Sequence, residues 1–244
     1  MLVFTNKKLK FILMKISIVV PCYNEINTIG IIIDKINNVF SKYDYEIIII
    51  DDHSIDGSKE FIIKNFSETK KHTLIFNDKN FGKGHSLNLG FQKATGDIIC
   101  IQDADLEYDP HDLLPMIKLI LEDKADVVFG SRFRGNGPVM ARLFVNRFAN
   151  FIISGLTNIF SNLSLTDIEC CYKVFKKKDI NQIVIEEKRF GIEPELTIKL
   201  SKLKLRIFEI GISYFGRSNE EGKKIGVKDG FRAIYCIFKY SIFR

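Results

Sequence analysis

Short runs rich in Ile and Val punctuate the first half of the chain. They are Ile16-Ser17-Ile18-Val19-Val20, Glu46-Ile47-Ile48-Ile49-Ile50, Thr73-Leu74-Ile75-Phe76, Ile98-Ile99-Cys100-Ile101 and Val127-Val128-Phe129. Runs this short, apolar and β-branched predict buried strands. Helical stretches lie between them: one from Asn27 or Thr28 to about Phe40, one capped by Asp56, one from about Ser86 to Lys93, and one opening at Pro110. Strands that alternate with helices predict an α/β fold, with a mostly parallel central sheet and helices on both faces.

The second half is less regular. Residues 139–160 read as a helix with aromatics at Phe144, Phe148 and Phe151. An acid-bearing segment, Thr166-Asp167-Ile168-Glu169-Cys170-Cys171-Tyr172-Lys173, precedes the apolar pair Val174-Phe175. A helix is expected near 193–203 and strands near 205–215, followed by a glycine- and lysine-rich loop from Gly216 to Gly226. The last stretch, Phe231 to Phe243, is amphipathic. No repeat and no dividing linker interrupts this pattern. The expected organisation is a basic lead-in over 1–14, a single domain over 15–226 and a basic amphipathic segment over 227–244.

A chain of 244 residues that is 46% hydrophobic can bury a sizeable core. Its net charge is +6, unevenly spread. From Lys199 to Arg244 there are eleven Lys or Arg against four acids, a surplus of seven. Basic ends suit phosphate-rich partners such as nucleotides or anionic lipid, although a solvated basic face has the same composition. No DNA-binding motif appears, so nucleic acid is not an expected partner. Five cysteines, an odd number without a C-x-x-C pair, predict a reduced cytoplasmic protein without zinc. No apolar run reaches the ~18 residues of a membrane span, and Lys15 breaks the run Phe11-Ile12-Leu13-Met14, against a signal peptide.

The candidate chemistry lies at strand ends. One run stops at Pro21-Cys22-Tyr23-Asn24-Glu25, one at Asp51-Asp52, and one at Asp103-Ala104-Asp105, with Glu107 close behind. In a parallel sheet all three fall on one edge, where open α/β folds place ligands. Carboxylates one residue apart repel unless a cation lies between them. Hard oxygens favour Mg²⁺ or Mn²⁺ completed by phosphate oxygens and water. Taken alone, Asp103-x-Asp105 suits an Asx-rich turn as well as a metal; the clustering of acids on one edge tips the balance towards a nucleotide–metal site. Asn80-Phe81-Gly82-Lys83-Gly84-His85 is neither a P-loop nor a dinucleotide fingerprint, since Leu87 fills the last glycine position. It still brings backbone N–H groups and Lys83 within reach of a phosphate.

Five blocks in this order, VVPCYNE (19–25), IIIIDDHSIDGS (47–58), NFGKGHSLNLGF (80–91), GDIICIQDADLE (96–107) and GSRF (130–133), closely resemble the family 2 glycosyltransferases of the GT-A fold. DIECCYKVF (167–175) and FGRSNEEGKKIGVKDGFRA (215–233) resemble the branch that acts on polyprenyl phosphates, which includes dolichyl-phosphate mannose synthases. The resemblance covers roughly residues 15–240.

It implies a metal-dependent, inverting transfer of a sugar from a nucleotide diphosphate sugar to a polyprenyl phosphate or a cell-envelope glycan. Pro21, Tyr23 and Glu25 would floor the base and ribose pocket. Asp52 would bond a base N–H, with Ile50 beside it. Asp103 and Asp105 would bind the metal, with Ala104 against the ribose and Glu107, where that branch often has Gln, as a third ligand or a helix-leading acid. Lys83 would approach a phosphate. Arg132 and Arg217, with Lys223 or Lys224, would clamp a diphosphate or an acceptor phosphate, since guanidinium pairs bidentately with phosphate. A hydroxyl acceptor would need a base, Asp167 first and Glu169 second; a lipid phosphate would not. His53 departs from the family by replacing a glycine at a position that often tolerates positive φ. The basic amphipathic end fits peripheral contact with the anionic cytoplasmic membrane face, or equally a helix that packs on the sheet. A nucleotide-sugar-binding protein without transfer activity is the rival. A sugar nucleotidyltransferase lacks its loop here.

Overall fold

A computed structural model describes residues 14–66, 71–135, 137–141, 144–217 and 226–242. Among them, seven strands form one sheet in the order β3-β2-β1-β4-β6-β5-β7. In chain order the elements are β1 (Ile16–Cys22), α1 (Ile29–Val39), β2 (Tyr45–Asp51), α2 (Ser58–Phe66), β3 (His72–Phe76), α3 (Lys83–Lys93), β4 (Ile98–Ile101), a 3-10 turn (Pro110–Asp112) running into α4 (Leu113–Leu121), β5 (Val127–Ser131), α5 (Phe144–Ser161), β6 (Lys173–Lys176), α6 (Lys177–Ile180), α7 (Ile192–Ser201), β7 (Ile207–Gly211) and α8 (Val227–Ile242).

The apolar runs form strands because both of their faces are covered. Every residue of β2, β4 and β5 is buried, so each side of the central sheet meets a layer of helices. β1 pairs in parallel with β2 and β4, with Val19 opposite Ile48 and Ile101. The mostly parallel expectation holds with one exception: β6 runs antiparallel to both β4 and β5. That reversed strand brings the segment just before it back to the edge where β1, β2 and β4 end.

Local boundaries follow sequence chemistry, with shifts. Asp56 accepts from Ser58 N at 2.9 Å and so opens α2, and it also ties Ile26 N at 3.0 Å. The helix expected from Ser86 begins at Lys83, inside the glycine loop. That loop needs its glycines. A Cβ on Gly84 would lie 2.2 Å from the Glu187 carbonyl oxygen, and one on Gly82, at φ +100°, would lie 2.6 Å from that of Lys188. The final amphipathic stretch is α8, which packs on α7 and α5 and buries Cys236, Ile237 and Tyr240.

Candidate active site

The strand ends converge on a cavity of about 410 Å³, lined by Pro21, Tyr23, Glu25, Asp52, Lys83, Asp103, Ala104, Asp105, Glu107, Arg132, Glu169, Arg189, Phe190, Tyr214 and Arg217 among others. Most residues singled out in the sequence therefore meet in one place. Among the described residues two do not. Ile50 is fully buried in β2 and stays in the core, and Asp167 is fully buried outside the lining. Lys223 and Lys224 lie outside the described residues.

Several acids and bases in the cavity are paired with each other. Lys83 Nζ sits 2.9 Å and 3.0 Å from the two oxygens of Asp103, with Glu193 at 3.8 Å behind it. Burial opposes its charge, but Asp103 and Glu193 outweigh burial and hold the Lys83 ammonium well above its ordinary range. Arg217 bonds Glu25 at 2.9 and 3.0 Å and reaches Asp105 at 3.2 Å. Asp105 is nonetheless crowded. Burial first, then Asp103 and Glu107, push its carboxyl up to about 7 against the pull of Arg217.

That crowding bears on the expected Mg²⁺ or Mn²⁺. A carboxyl that resists ionising beside two other acids is a place where a divalent cation relieves repulsion, so Asp103 and Asp105 fit such an ion. They fit as a two-carboxylate site, because no group of three or more metal-capable side chains gathers among the described residues. Mg²⁺ is commonly held this way, with substrate oxygens and water completing its shell. Glu107, expected as a third ligand or a helix-leading acid, has both oxygens engaged: its Oε1 accepts Arg217 N at 2.7 Å and its Oε2 accepts the Tyr214 hydroxyl at 2.9 Å. It pins the segment that carries Arg217.

Two further expectations change with the geometry. Asp167, the first choice for a base, is fully buried and accepts Arg132 Nε and Nη2, both at 2.7 Å. It does not line the cavity, and Arg132 is bound by it rather than free to clamp. Glu169, the second choice, does line the cavity. Its Oε1 has no hydrogen-bond partner, and burial, then Glu193, push its carboxyl up to about 7. Asp52 faces the cavity but already accepts Asn77 Nδ2 at 2.7 Å, Phe81 N at 3.0 Å and Gly82 N at 2.7 Å. It ties the glycine loop to the end of β2. His53 takes φ +64°, the left-handed backbone of the glycine it replaces.

Several functional candidates escaped the sequence. Tyr214 holds Glu107 and underlies the Arg132 guanidinium, 5.2 Å from its ring centre. Lys173 is fully buried, donates to the carbonyls of Ile168 and Cys170 and pairs with Glu193. Arg189 and Phe190 reach the cavity from an irregular segment ahead of α7. No periodicity marks that segment; only the acid pair in Gly191-Ile192-Glu193-Pro194-Glu195 hinted at buried charge.

Known proteins are similar to this chain in sequence and in fold. The chain is 27% identical over 232 residues to the dolichol-phosphate mannosyltransferase of Pyrococcus furiosus, covering 93% of this chain and 65% of that one. It is 25% identical over 242 residues to the dodecaprenyl-phosphate galacturonate synthase of Rhizobium johnstonii, covering 94% and 67%. The chain thus spans about two thirds of the length of these relatives. Glucosyl-3-phosphoglycerate synthase from Mycobacterium tuberculosis, solved with Mn²⁺, uridine diphosphate and phosphoglyceric acid, superposes with a TM-score of 0.71 at 15% identity, over 98% of this chain and 82% of that one. This likeness shows the shared GT-A fold. The model of the family described as glycosyl transferase family 2 matches residues 17–184, from β1 through the reversed strand β6, and the chain belongs to that family.

Proposed function

We propose that this protein is a glycosyltransferase that moves a sugar from a nucleotide diphosphate sugar to a polyprenyl phosphate. One observation carries the reading. The cavity at the strand ends holds ready-made acid–base couples, Lys83 with Asp103 and Arg217 with Glu25 and Asp105. Phosphate oxygens compete for the cations of such couples, and a divalent metal competes for the carboxylates. A metal diphosphate satisfies both halves together. The names of the curated relatives support the lipid phosphate, and metal–uridine diphosphate complexes of the structural relative support the donor class.

In this reading Pro21 and Tyr23 pack beneath the base, and Asp52 orients the glycine loop and a base N–H. Ala104 leaves room for the ribose. A metal on Asp103 and Asp105 would offset charge on the leaving diphosphate. Lys83 and Arg217 turn from their carboxylates to phosphate oxygens, and Arg132, held by Asp167, supplies fixed positive potential. A lipid phosphate is anionic already, so it needs cations to place it, not a base.

The surface supports an acceptor carried at a membrane. Phe144, Phe148 and Phe151 on α5 and Phe231 and Tyr235 on α8 are exposed. The two helices are joined where the Phe160 and Phe238 rings lie 5.3 Å apart. Exposed aromatics on α5, which carries one arginine and no acid, and on α8, with three cations against one acid, suit peripheral contact with an anionic bilayer on the cytoplasmic side. No helix among the described residues is long and apolar enough to cross a membrane.

Glu169 favours a second reading. A carboxyl near neutrality with one oxygen lacking a hydrogen-bond partner is suited to deprotonate a hydroxyl acceptor. A screen of nucleotide sugars for nucleoside diphosphate release, with polyprenyl phosphate or a soluble glycan and with or without Mn²⁺, separates the two. Donor binding without release would instead indicate a binding protein.

A further inference from the structure

Three cations on the cavity wall are held at hydrogen-bond distance: Lys83 by Asp103, Arg132 by Asp167 and Arg217 by Glu25. Arg189 is different. Among the described residues its nearest acid is Asp229, with 3.8 Å between Nε and Oδ1, and its side chain is 62% exposed. That carboxylate is already engaged, since Asp229 Oδ2 accepts Gly226 N at 2.9 Å. Among the described residues Arg189 therefore brings positive charge to the cavity without a hydrogen-bonded acid, which makes it ready to receive an anion.

Its backbone is fixed although its head is not. Lys188 O accepts His85 N at 3.0 Å from the glycine loop. A Cβ on Gly82 would come within 2.7 Å of Arg189 Cγ, so the Arg189 stem lies directly over that loop. On the other side, Glu187 is clasped by Arg232 of α8 at 2.8 and 2.9 Å and by the Tyr240 hydroxyl at 3.0 Å. Arg189 thus stands at the seam between the phosphate-facing glycine loop and α8, whose Phe231 and Tyr235 are exposed.

We infer that Arg189 receives the phosphate monoester of an amphiphilic acceptor and sets the preference for a charged, apolar-tailed acceptor over a neutral glycan. The inference rests on the proposed function, because it takes the diphosphate to be served by the strand-end couples and assigns the remaining cation to the second substrate. A monoester dianion matches one guanidinium bidentately, and an alkyl tail leaving that point has the apolar edge of α8 beside it.

The test is calorimetric titration of the full chain with octyl phosphate and, separately, with inorganic phosphate, for the wild type, Arg189→Ala and Arg189→Lys. The expected result is octyl phosphate binding that weakens at least tenfold in Arg189→Ala and partly recovers in Arg189→Lys, while nucleoside diphosphate affinity stays within twofold. Inorganic phosphate is expected to bind more weakly than octyl phosphate, since it lacks the tail. Equal octyl phosphate affinity in wild type and Arg189→Ala overturns the inference, as does absence of binding to the wild type. A parallel fall in nucleoside diphosphate affinity also overturns it, by making Arg189 a donor residue. Arg189-dependent octyl phosphate binding in a protein that transfers no sugar would leave the inference standing and defeat the transferase reading.

Discussion

Arg217 grips Glu25 through both terminal nitrogens across 192 positions of sequence, and the same guanidinium reaches Asp105. A single side chain therefore bridges the loop after β1 and the acids after β4. It stands where a bound divalent cation would compete with it.

Removing that guanidinium exposes the competition. In Arg217→Ala, Mn²⁺ should bind the nucleotide-free protein about tenfold more tightly, roughly 1.4 kcal/mol. Sugar transfer should fall at the same time, because the diphosphate loses a cation. Electron paramagnetic titration of free Mn²⁺ reads the first effect. Unchanged or weaker Mn²⁺ binding would show that Arg217 does not compete for these carboxylates.

The left-handed backbone at His53 makes a separate prediction. Relief of Cβ strain favours glycine there, and greater freedom of the unfolded chain offsets part of it. His53→Gly should stabilise the fold by about 0.5–1 kcal/mol, read as a rise in Tm. A fall in Tm would mean that the His53 side chain makes a contact worth more than the strain.

Glu169 predicts the pH dependence. Its carboxyl titrates at about 7 in the fold against an ordinary 4.5. Between those values the folded state binds the extra proton, so stability rises as pH falls through 7 and levels off below about 4.5. Asp105, raised to about 7 from 3.8, adds a contribution of the same sign. Glu169→Gln should flatten the profile over that window. Denaturant melts at pH 5 and pH 8 check it; an undiminished slope would place the titration elsewhere.

Buried Lys173 and Glu193 are a fourth test. Truncating one partner of a buried pair strands the other charge and costs about 3–5 kcal/mol. Glu193→Ala should unfold at markedly lower denaturant, whereas the double substitution Lys173→Met with Glu193→Leu should recover much of the loss. If the double variant is no more stable than Glu193→Ala, the charge pair is not what holds α7 to β6.

What could be read from the chain was whatever is local. β1, β2 and β4 announced themselves because strands covered on both faces read as nearly continuous apolar runs, and the acids at or after their ends were conspicuous there. The antiparallel direction of β6 was not visible, since Lys173–Lys176 carries no mark of orientation. The site's acids were legible but their partners were not. Lys83 lies 20 positions from Asp103, Arg132 lies 35 from Asp167, and Glu107 meets Tyr214 across 107. Asp167 looked like a base because an acid near a loop is chemically eligible; only the fold shows its carboxylate closed around a guanidinium. Arg189 stayed hidden because its segment has no period and its distinction, the lack of a hydrogen-bonded acid among the described residues, is one that no linear pattern records.

The most direct test of the account is nucleoside diphosphate release from a panel of nucleotide sugars by the wild type and Asp105→Asn, with polyprenyl phosphate, in Mn²⁺ and then in excess chelator. The account predicts release coupled to glycosylation of the lipid, abolished by chelator and reduced at least a hundredfold in Asp105→Asn, whose melting curve stays cooperative. Full turnover in chelator, or a fully active Asp105→Asn, would contradict it.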